Sequence, residues 1–158
     1  MVIEALPGRP EAQADDRRFA VLIADDDRGT RETLGEALEQ HGYRTLLAAD
    51  GAEAVEVVQV ELVHLVLFDL HMPRLSGLDA LLAIRNLLHT TPPAVLMTAE
   101  ATNDLMRRAF QAQVFSVLPK PVQLPLVVHT LARALRQTYG VQHPPTPPRE
   151  HPHPGTTT

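Results

Sequence analysis

The sequence predicts an α/β protein in which one five-stranded parallel sheet is covered by helices on both faces. Five short runs of nearly continuous apolar residues are typical of strands that are buried from both sides. The segments between them carry apolar residues at helical spacing, and such alternation favours a doubly wound parallel sheet with right-handed crossovers. The predicted strands are Phe19–Ala24, Tyr43–Ala49, His64–Phe68, Pro93–Thr98 and Val114–Leu118.

Local signals support helices after each strand. Asp50 and Glu53 in "DGAE" form the pattern of a capping box, in which an acid and a glutamate satisfy the first amides of a helix. Asp27 is expected to cap the first helix rather than to bind a ligand. Pro125 suits the first turn of the last helix, where its missing amide hydrogen costs nothing. The apolar helical positions include Leu34, Ala37 and Leu38, then Leu78, Leu81 and Leu82, then Leu124, Val127, Val128, Leu131 and Leu135.

Composition divides the 158 residues into one domain and two flanking segments. Residues 1–18 are polar and without periodicity, which indicates a flexible leader. Residues 19–139 hold the predicted strands and helices. Residues 140–158 are rich in proline and histidine, which predicts a disordered tail. The tail motif "PPTPP" is interpreted as linker, and its histidines as polar residues without a metal.

Charge and hydropathy exclude several classes of protein. A net charge of -5 and a pI near 5.9 argue against a surface made to bind nucleic acid or anionic lipid. The absence of cysteine excludes disulfides and thiolate zinc sites. No apolar run approaches the roughly 20 residues that span a bilayer, and the beginning of the chain does not resemble a signal peptide. We therefore expect a cytoplasmic protein without direct nucleic-acid or membrane partners.

Polar side chains follow four of the predicted strands. Asp25 and Asp26 come after the first strand, Asp69 ends the third, Thr98 ends the fourth and Lys120 follows the fifth. Because the carboxyl ends of parallel strands meet at one edge of the sheet, these five side chains should converge there. Each of them alone fits a capping, strand or surface role, but their joint placement favours a functional site.

Neighbouring carboxylates need a cation or a shared proton, because like charges disfavour one another. An all-oxygen ligand set favours Mg²⁺, which keeps several waters and often binds phosphate oxygens as well. With no cysteine, no evident serine and histidine pair and no glycine-rich phosphate loop, a carboxylate is the natural nucleophile. Asp69 is the candidate, since it ends a buried strand at considerable desolvation cost. The chemistry indicated is phosphoryl transfer to Asp69.

The four motifs "ADDD", "DLHMPRLSG", "TAEA" and "PKP" occur in this order over residues 18 to 139. Together they resemble the CheY-like receiver domain of two-component response regulators. The resemblance implies a flavodoxin-like (βα)5 fold with strand order 2-1-3-4-5. It also implies that this is a phosphoacceptor signalling domain, which catalyses only its own phosphorylation and dephosphorylation and is not otherwise an enzyme.

The same resemblance implies the role of each site residue. Asp69 would accept the phosphoryl group, and Mg²⁺ would bind Asp26, Asp69 and the backbone carbonyl of His71, with Asp25 contributing through water. Thr98 and Lys120 would hold phosphoryl oxygens, with Thr98 also part of the conformational switch. The Lys120–Pro121 peptide bond is expected to be cis. For the His71 side chain, an exposed position without a role in hydrolysis is favoured.

One position departs from the family pattern. Similar proteins carry Tyr or Phe as a switch three residues before the lysine, where this chain has Val117. A β-branched side chain is stiff at χ1 and too small to act as the same switch. Alternation along the fifth strand predicts that Phe115 lies on the same side as Val117 and substitutes for the missing ring.

The resemblance implies that a sensor histidine kinase or a histidine phosphotransfer protein supplies the phosphoryl group and that a downstream protein binds the modified surface. A DNA-binding output domain is not expected in this chain. Two other functions stay open: a haloacid-dehalogenase-like phosphohydrolase, which would need an acid where His71 stands, and a scaffold that works without phosphorylation. Homodimerisation through the last strand and helix, common in similar proteins, is also left open.

Overall fold

The computed structural model describes residues 16–140, and the described residues form five alternating strands and helices. The expected leader lies outside this range except for residues 16–18, and the expected tail lies outside it except for Gly140. The strands are β1 (Ala20–Ala24), β2 (Arg44–Ala48), β3 (Leu65–Asp69), β4 (Ala94–Thr98) and β5 (Ser116–Pro119). The helices are α1 (Arg28–Gln40), α2 (Gly51–Val60), α3 (Gly77–Leu87), α4 (Asn103–Gln111) and α5 (Leu124–Tyr139).

The strands form one parallel sheet in the order β2-β1-β3-β4-β5. This confirms the flavodoxin-like fold. The order reverses between β1 and β3, so a crevice opens at the carboxyl ends of these two strands, where ligands bind in open α/β sheets. The register places Asp69 opposite Met97, and Thr98 opposite Pro119.

Each face of the sheet has its own apolar core. The core on one side packs α1 and α5 against the sheet through residues such as Leu38 and Leu131. The core on the other side packs α2, α3 and α4, and Phe68 and Leu81 lie within it. Strands β1, β3 and β4 are buried along their whole length. Burial on both sides explains why their sequences are apolar runs rather than alternating patterns.

The helix starts follow the predicted caps. The Asp27 carboxylate accepts the Thr30 N–H at 3.0 Å and caps α1. Asp50 caps α2 by accepting the Glu53 N–H at 2.8 Å, whereas the Glu53 carboxylate accepts from Ala49, one residue before the cap. Within residues 16–140, no helix has both the length and the hydrophobicity that crossing a bilayer requires.

Candidate functional site

Three carboxylates meet at the crevice. Asp25 follows β1, Asp26 comes next to it, and Asp69 is the last residue of β3. Each offers one oxygen, and these three oxygens lie within 4.8 Å of one another. The Asp25 side chain is fully buried and Asp69 is 4% exposed, whereas Asp26 is exposed to solvent. The cluster is therefore a buried pair of acids with a third acid on the solvent side.

The ammonium group of Lys120 lies between the two buried acids. Its Nζ is 3.0 Å from Asp25 Oδ2 and 3.1 Å from Asp69 Oδ2. Lys120 is the only lysine in the chain, and it follows β5 directly. The Lys120–Pro121 peptide bond is cis, as the family resemblance implied. The charge of this lysine offsets part of the repulsion between the carboxylates.

Burial dominates the electrostatics of Asp69. It raises the pKa of the Asp69 carboxyl, and the nearby Asp25 charge acts in the same direction, although the hydrogen bond from Lys120 opposes both. For Lys120, burial lowers the pKa, but hydrogen bonds and attraction from Asp25 and Asp69 outweigh it and leave the pKa above its usual value. The lysine therefore stays charged, while the ionised form of Asp69 is costly.

The donor set suits a hard divalent cation. The three side chains present carboxylate oxygens within reach of one ion, and the cluster contains no sulfur or imidazole ligand. Oxygen-only sites favour Mg²⁺ or Ca²⁺ over zinc, and Mg²⁺ keeps several of its waters. Because Asp26 is exposed, the waters bound to such an ion can lie on the solvent side of the cluster. The acidic cluster can thus bind a metal ion.

Thr98 lies at the same edge, at the carboxyl end of β4. Its hydroxyl donates to the Glu100 carbonyl and accepts the Glu100 N–H, each at 3.1 Å. The structure therefore brings Thr98 to the predicted edge of the sheet, with its hydroxyl bonded within its own loop.

The loop after β3 is held against the acceptor strand. The His71 N–H donates to Asp69 Oδ1 at 3.2 Å, while residue His71 is exposed. Gly77 begins α3 directly under the strand end, where a Cβ atom would come within 2.4 Å of the Asp69 carbonyl oxygen. The glycine in "DLHMPRLSG" is therefore required for the close approach of α3 to Asp69.

The prediction that Phe115 lies on the same side of β5 as Val117 is wrong. Val117 packs against the core formed with α2, α3 and α4, whereas Phe115 packs on the opposite side with α5. The Arg133 guanidinium carbon lies 5.6 Å from the centre of the Phe115 ring. The strand begins only at Ser116, so its two-residue alternation does not extend back to position 115. Phe115 is also at the far end of β5 from Lys120, so it cannot replace a ring at position 117.

Sequence reasoning missed two contacts around the site. The Arg31 Nη1 atom donates to the Asp25 carbonyl oxygen at 2.7 Å, which ties α1 to the acidic loop. The Arg74 guanidinium, in the loop after Asp69, forms an ion pair with the Asp50 carboxylate at the start of α2. Asp50 was recognised only as a helix cap. Neither arginine has a motif signal: the Arg74 contact joins residues 24 positions apart, and the Arg31 contact, over six residues, belongs to no capping or turn pattern.

A groove runs beside the site between α1 and the segment that follows β5. Its volume is about 480 Å³, and Lys120 is one of the residues that line it. The walls are largely apolar and include Leu34, Ala37, Val122 and Leu124. The groove thus combines a largely apolar lining with the lysine that contacts Asp69.

Comparison with known proteins shows the family of this chain. A family model described as the response regulator receiver domain matches residues 21–132. The chain belongs to this family. It is therefore a receiver domain of two-component signalling.

The chain is similar to curated response regulators and to solved CheY-like structures. The chain is 32% identical to "Response regulator MprA" of Mycobacterium sp. (strain KMS) over 127 residues, which are 80% of this chain and 55% of that protein. The chain thus spans about half the length of the curated relatives it matches first. The receiver fold is also similar to Vibrio cholerae chemotaxis protein CheY4, with a TM-score of 0.70, 27% identity, and coverage of 75% of this chain and 99% of that one.

A third similarity is to a chain in the co-crystal structure of the Saccharomyces cerevisiae histidine phosphotransfer signaling protein Ypd1 and the receiver domain of its downstream response regulator Ssk1. The TM-score is 0.68 and the identity is 27%, with coverage of 77% of this chain and 92% of that chain.

Proposed function

We propose that this receiver domain, comprising residues 19–139, accepts a phosphoryl group on Asp69 from a histidine kinase or a histidine phosphotransfer protein. The observation that carries the proposal is the contact of Lys120 Nζ with both buried carboxylates, at 3.0 and 3.1 Å, beside the exposed Asp26. A carboxylate held in this way can act as a nucleophile, and the neighbouring ammonium group can stabilise the negative charge of the incoming phosphoryl group.

In the proposed step, a carboxylate oxygen of Asp69 attacks the phosphorus of a phosphohistidine. A phosphorus–oxygen bond forms, the phosphorus–nitrogen bond breaks, and the electron pair returns to the imidazole nitrogen of the donor. The product is an acyl phosphate. Lys120, released from part of its contact with Asp69, binds a phosphoryl oxygen, and the Thr98 hydroxyl leaves Glu100 to donate to another.

We propose that Asp25, Asp26, Asp69 and the His71 carbonyl hold Mg²⁺, with Asp25 acting through a water. When bound, Mg²⁺ supplies positive charge for the phosphoryl oxygens as they approach the acids. The need for such a charge follows from the chain itself, because one ammonium group serves two buried carboxylates. Asp27 stays outside this set, since its carboxylate caps α1.

The groove along α1 is the proposed contact surface for the phosphodonor. Its apolar lining suits the side of a helix that carries the donor histidine, and Lys120, which also lines the groove, contacts Asp69, where the phosphohistidine must arrive. The similarity to a chain in the Ypd1–Ssk1 complex supports a phosphotransfer protein as one such donor. A downstream protein would then bind the phosphorylated form, and Val117 would take no part as an aromatic switch.

The test uses acetyl phosphate as a small phosphodonor, with and without Mg²⁺, and intact-protein mass spectrometry. We expect a Mg²⁺-dependent gain of one phosphoryl group that is lost in Asp69→Asn. Asp79→Asn is the matched control, because Asp79 is an exposed acid on α3 in the same part of the chain. Borohydride reduction followed by peptide mapping locates the acyl phosphate at residue 69.

Three results would count against the proposal. Phosphorylation that survives in Asp69→Asn would place the acceptor elsewhere. Continuous release of inorganic phosphate from many small phosphate esters would favour a phosphohydrolase. If no phosphoryl group is gained and beryllium fluoride with Mg²⁺ does not bind either, a scaffold that works without phosphorylation would be the better account.

A further inference from the structure

The loop between β3 and α3 contains a strained residue. Arg74 has φ 68°, in the left-handed region that non-glycine residues rarely occupy. The Leu75 N–H donates to the Pro73 carbonyl at 2.8 Å, so Arg74 is the central residue of a three-residue turn. Turns of this kind with positive φ are rare, and they persist only where surrounding contacts hold them.

The contact that holds this turn comes from the start of α2. The Arg74 guanidinium forms an ion pair with Asp50, whose side chain is 11% exposed while that of Arg74 is 69% exposed. One Asp50 oxygen already accepts the Glu53 N–H as the cap of α2, so the second oxygen is used for Arg74. The guanidinium also lowers the pKa of the Asp50 carboxyl, so the pair stays charged at neutral pH.

Packing fixes the same two segments at a neighbouring point. A Cβ atom on Gly51 would come within 2.4 Å of the Leu75 carbonyl oxygen, so the first residue of α2 lies directly against the loop. The loop begins at Asp69 itself, where the His71 N–H donates to Asp69 Oδ1. It ends where the Gly77 N–H donates to the Leu70 carbonyl at 3.0 Å. The orientation of the loop therefore decides where the backbone of His71 lies.

We propose that Asp50 and Arg74 are positioning residues for the phosphoacceptor site. Their ion pair holds the strained loop against α2 and so places the His71 backbone beside Asp69. The consequence for metal binding and phosphorylation rests on the proposed function, whereas the consequence for the loop itself does not. Neither residue contacts Asp69, Lys120 or a reacting atom, so their effect passes through the loop.

The first experiment measures the loop in the full chain without Mg²⁺. Asp50→Asn keeps a side-chain oxygen for the α2 cap but removes the charge, and Arg74→Gln removes the charge from the other side. Hydrogen exchange of the Leu75 amide should become about tenfold faster in each single variant, and the double variant should show no further increase. Hydrogen exchange of the Leu105 amide should not change, because this amide donates to the Thr102 hydroxyl oxygen that caps α4.

Equal Leu75 exchange in the wild type and both single variants would overturn the proposal. Additive effects in the double variant would overturn it as well, because the two residues would then act separately. Urea denaturation checks that each variant folds. Arg28→Gln is the matched control for loss of an arginine, since Arg28 pairs with Glu32 on the exposed side of α1.

The second experiment measures the site by calorimetric titration with Mg²⁺ alone. Asp50→Asn and Arg74→Gln should weaken binding about tenfold, at the lower end of what loss of supporting contacts does at metal sites, and Arg74→Lys should recover part of the affinity. Unchanged affinity in both variants would contradict the positioning role. If the wild-type protein takes no phosphoryl group from acetyl phosphate, the proposed function fails, while Leu75 exchange still decides whether the ion pair holds the loop.

Discussion

Replacing Lys120 with methionine should destabilise the protein when divalent cations are absent. The change removes the cation that lies 3.0 Å from Asp25 and 3.1 Å from Asp69. Methionine is similar in length and apolar, so most of the packing of the lysine stem is kept. The two buried carboxylates are then left close to each other without a cation between them, and the variant measures the electrostatic role of the lysine.

The magnitude follows from the distances. At an effective dielectric constant of about 20, each of the two contacts is worth about 5 kcal/mol of Coulomb attraction, before the cost of desolvating the lysine is counted. Removing one partner of a buried ion pair typically costs about 3 to 5 kcal/mol in net stability. The Lys120 side chain is 24% exposed. Water therefore screens part of the interaction, and we expect the lower end, about 3 kcal/mol.

The assay is urea denaturation at neutral pH, first with EDTA and then with Mg²⁺. The variant should lose about 3 kcal/mol of unfolding free energy in EDTA. Mg²⁺ should restore much of it, because an ion at about 100 times its dissociation constant stabilises a folded protein by about 2.7 kcal/mol. Arg28→Met is the control, since Arg28 forms only an exposed surface pair with Glu32, and such pairs contribute little to stability.

Two outcomes would refute this reasoning. A Lys120→Met variant as stable as the wild type in EDTA would mean that the carboxylates do not depend on the lysine for compensation. A variant that is destabilised but gains no more from Mg²⁺ than the wild type would mean that the loss comes from packing. The loss should also shrink at acidic pH, where protonation of Asp69, whose pKa burial raises, removes the repulsion between the two acids.

Gly77→Ala should lower the unfolding free energy by about 2 kcal/mol in urea denaturation, because the new Cβ meets the Asp69 carbonyl; a neutral result would refute the close approach. Gly29→Ala in α1, with only an ordinary contact at 3.8 Å, should instead gain up to about 1 kcal/mol. The pKa of His64 lies below 6.5, mainly because the side chain is buried and secondly because of the charge of Arg44. The contribution of neutral His64 to the unfolding free energy should thus be complete above that pH and decrease as the pH drops below it. His64→Gln should flatten this dependence, and the exposed His129, changed to Gln, should leave it intact.

The fold could be predicted because its signals are local. Strands β1, β3 and β4 are buried on both faces, so each appears in the sequence as an apolar run. Caps such as Asp27 and Asp50 act within three residues of themselves, and the structure shows both where the sequence placed them. The ends of the elements were predicted less accurately. For example, β5 begins two residues later than predicted.

The position of the acids and the lysine could also be predicted, because a parallel sheet brings all strand ends to one edge. The structure places Asp25, Asp26, Asp69 and Lys120 together at that edge. This property of parallel sheets does not give the distances between the acids and the lysine. That Lys120 contacts both buried acids depends on how β5 and its following turn pack against the rest of the sheet.

By itself, therefore, the sequence determined the α/β class, the order of the elements and which side chains stand at the strand ends, because each depends on residues close in the chain. Only the tertiary structure decided three further features. Phe115 packs away from Val117, Arg74 reaches Asp50 from 24 residues away, and Arg31 binds the loop of Asp25. The first two depend on segments that become neighbours only when helices pack on the sheet, and the Arg31 contact spans only six residues but matches no local pattern in the sequence.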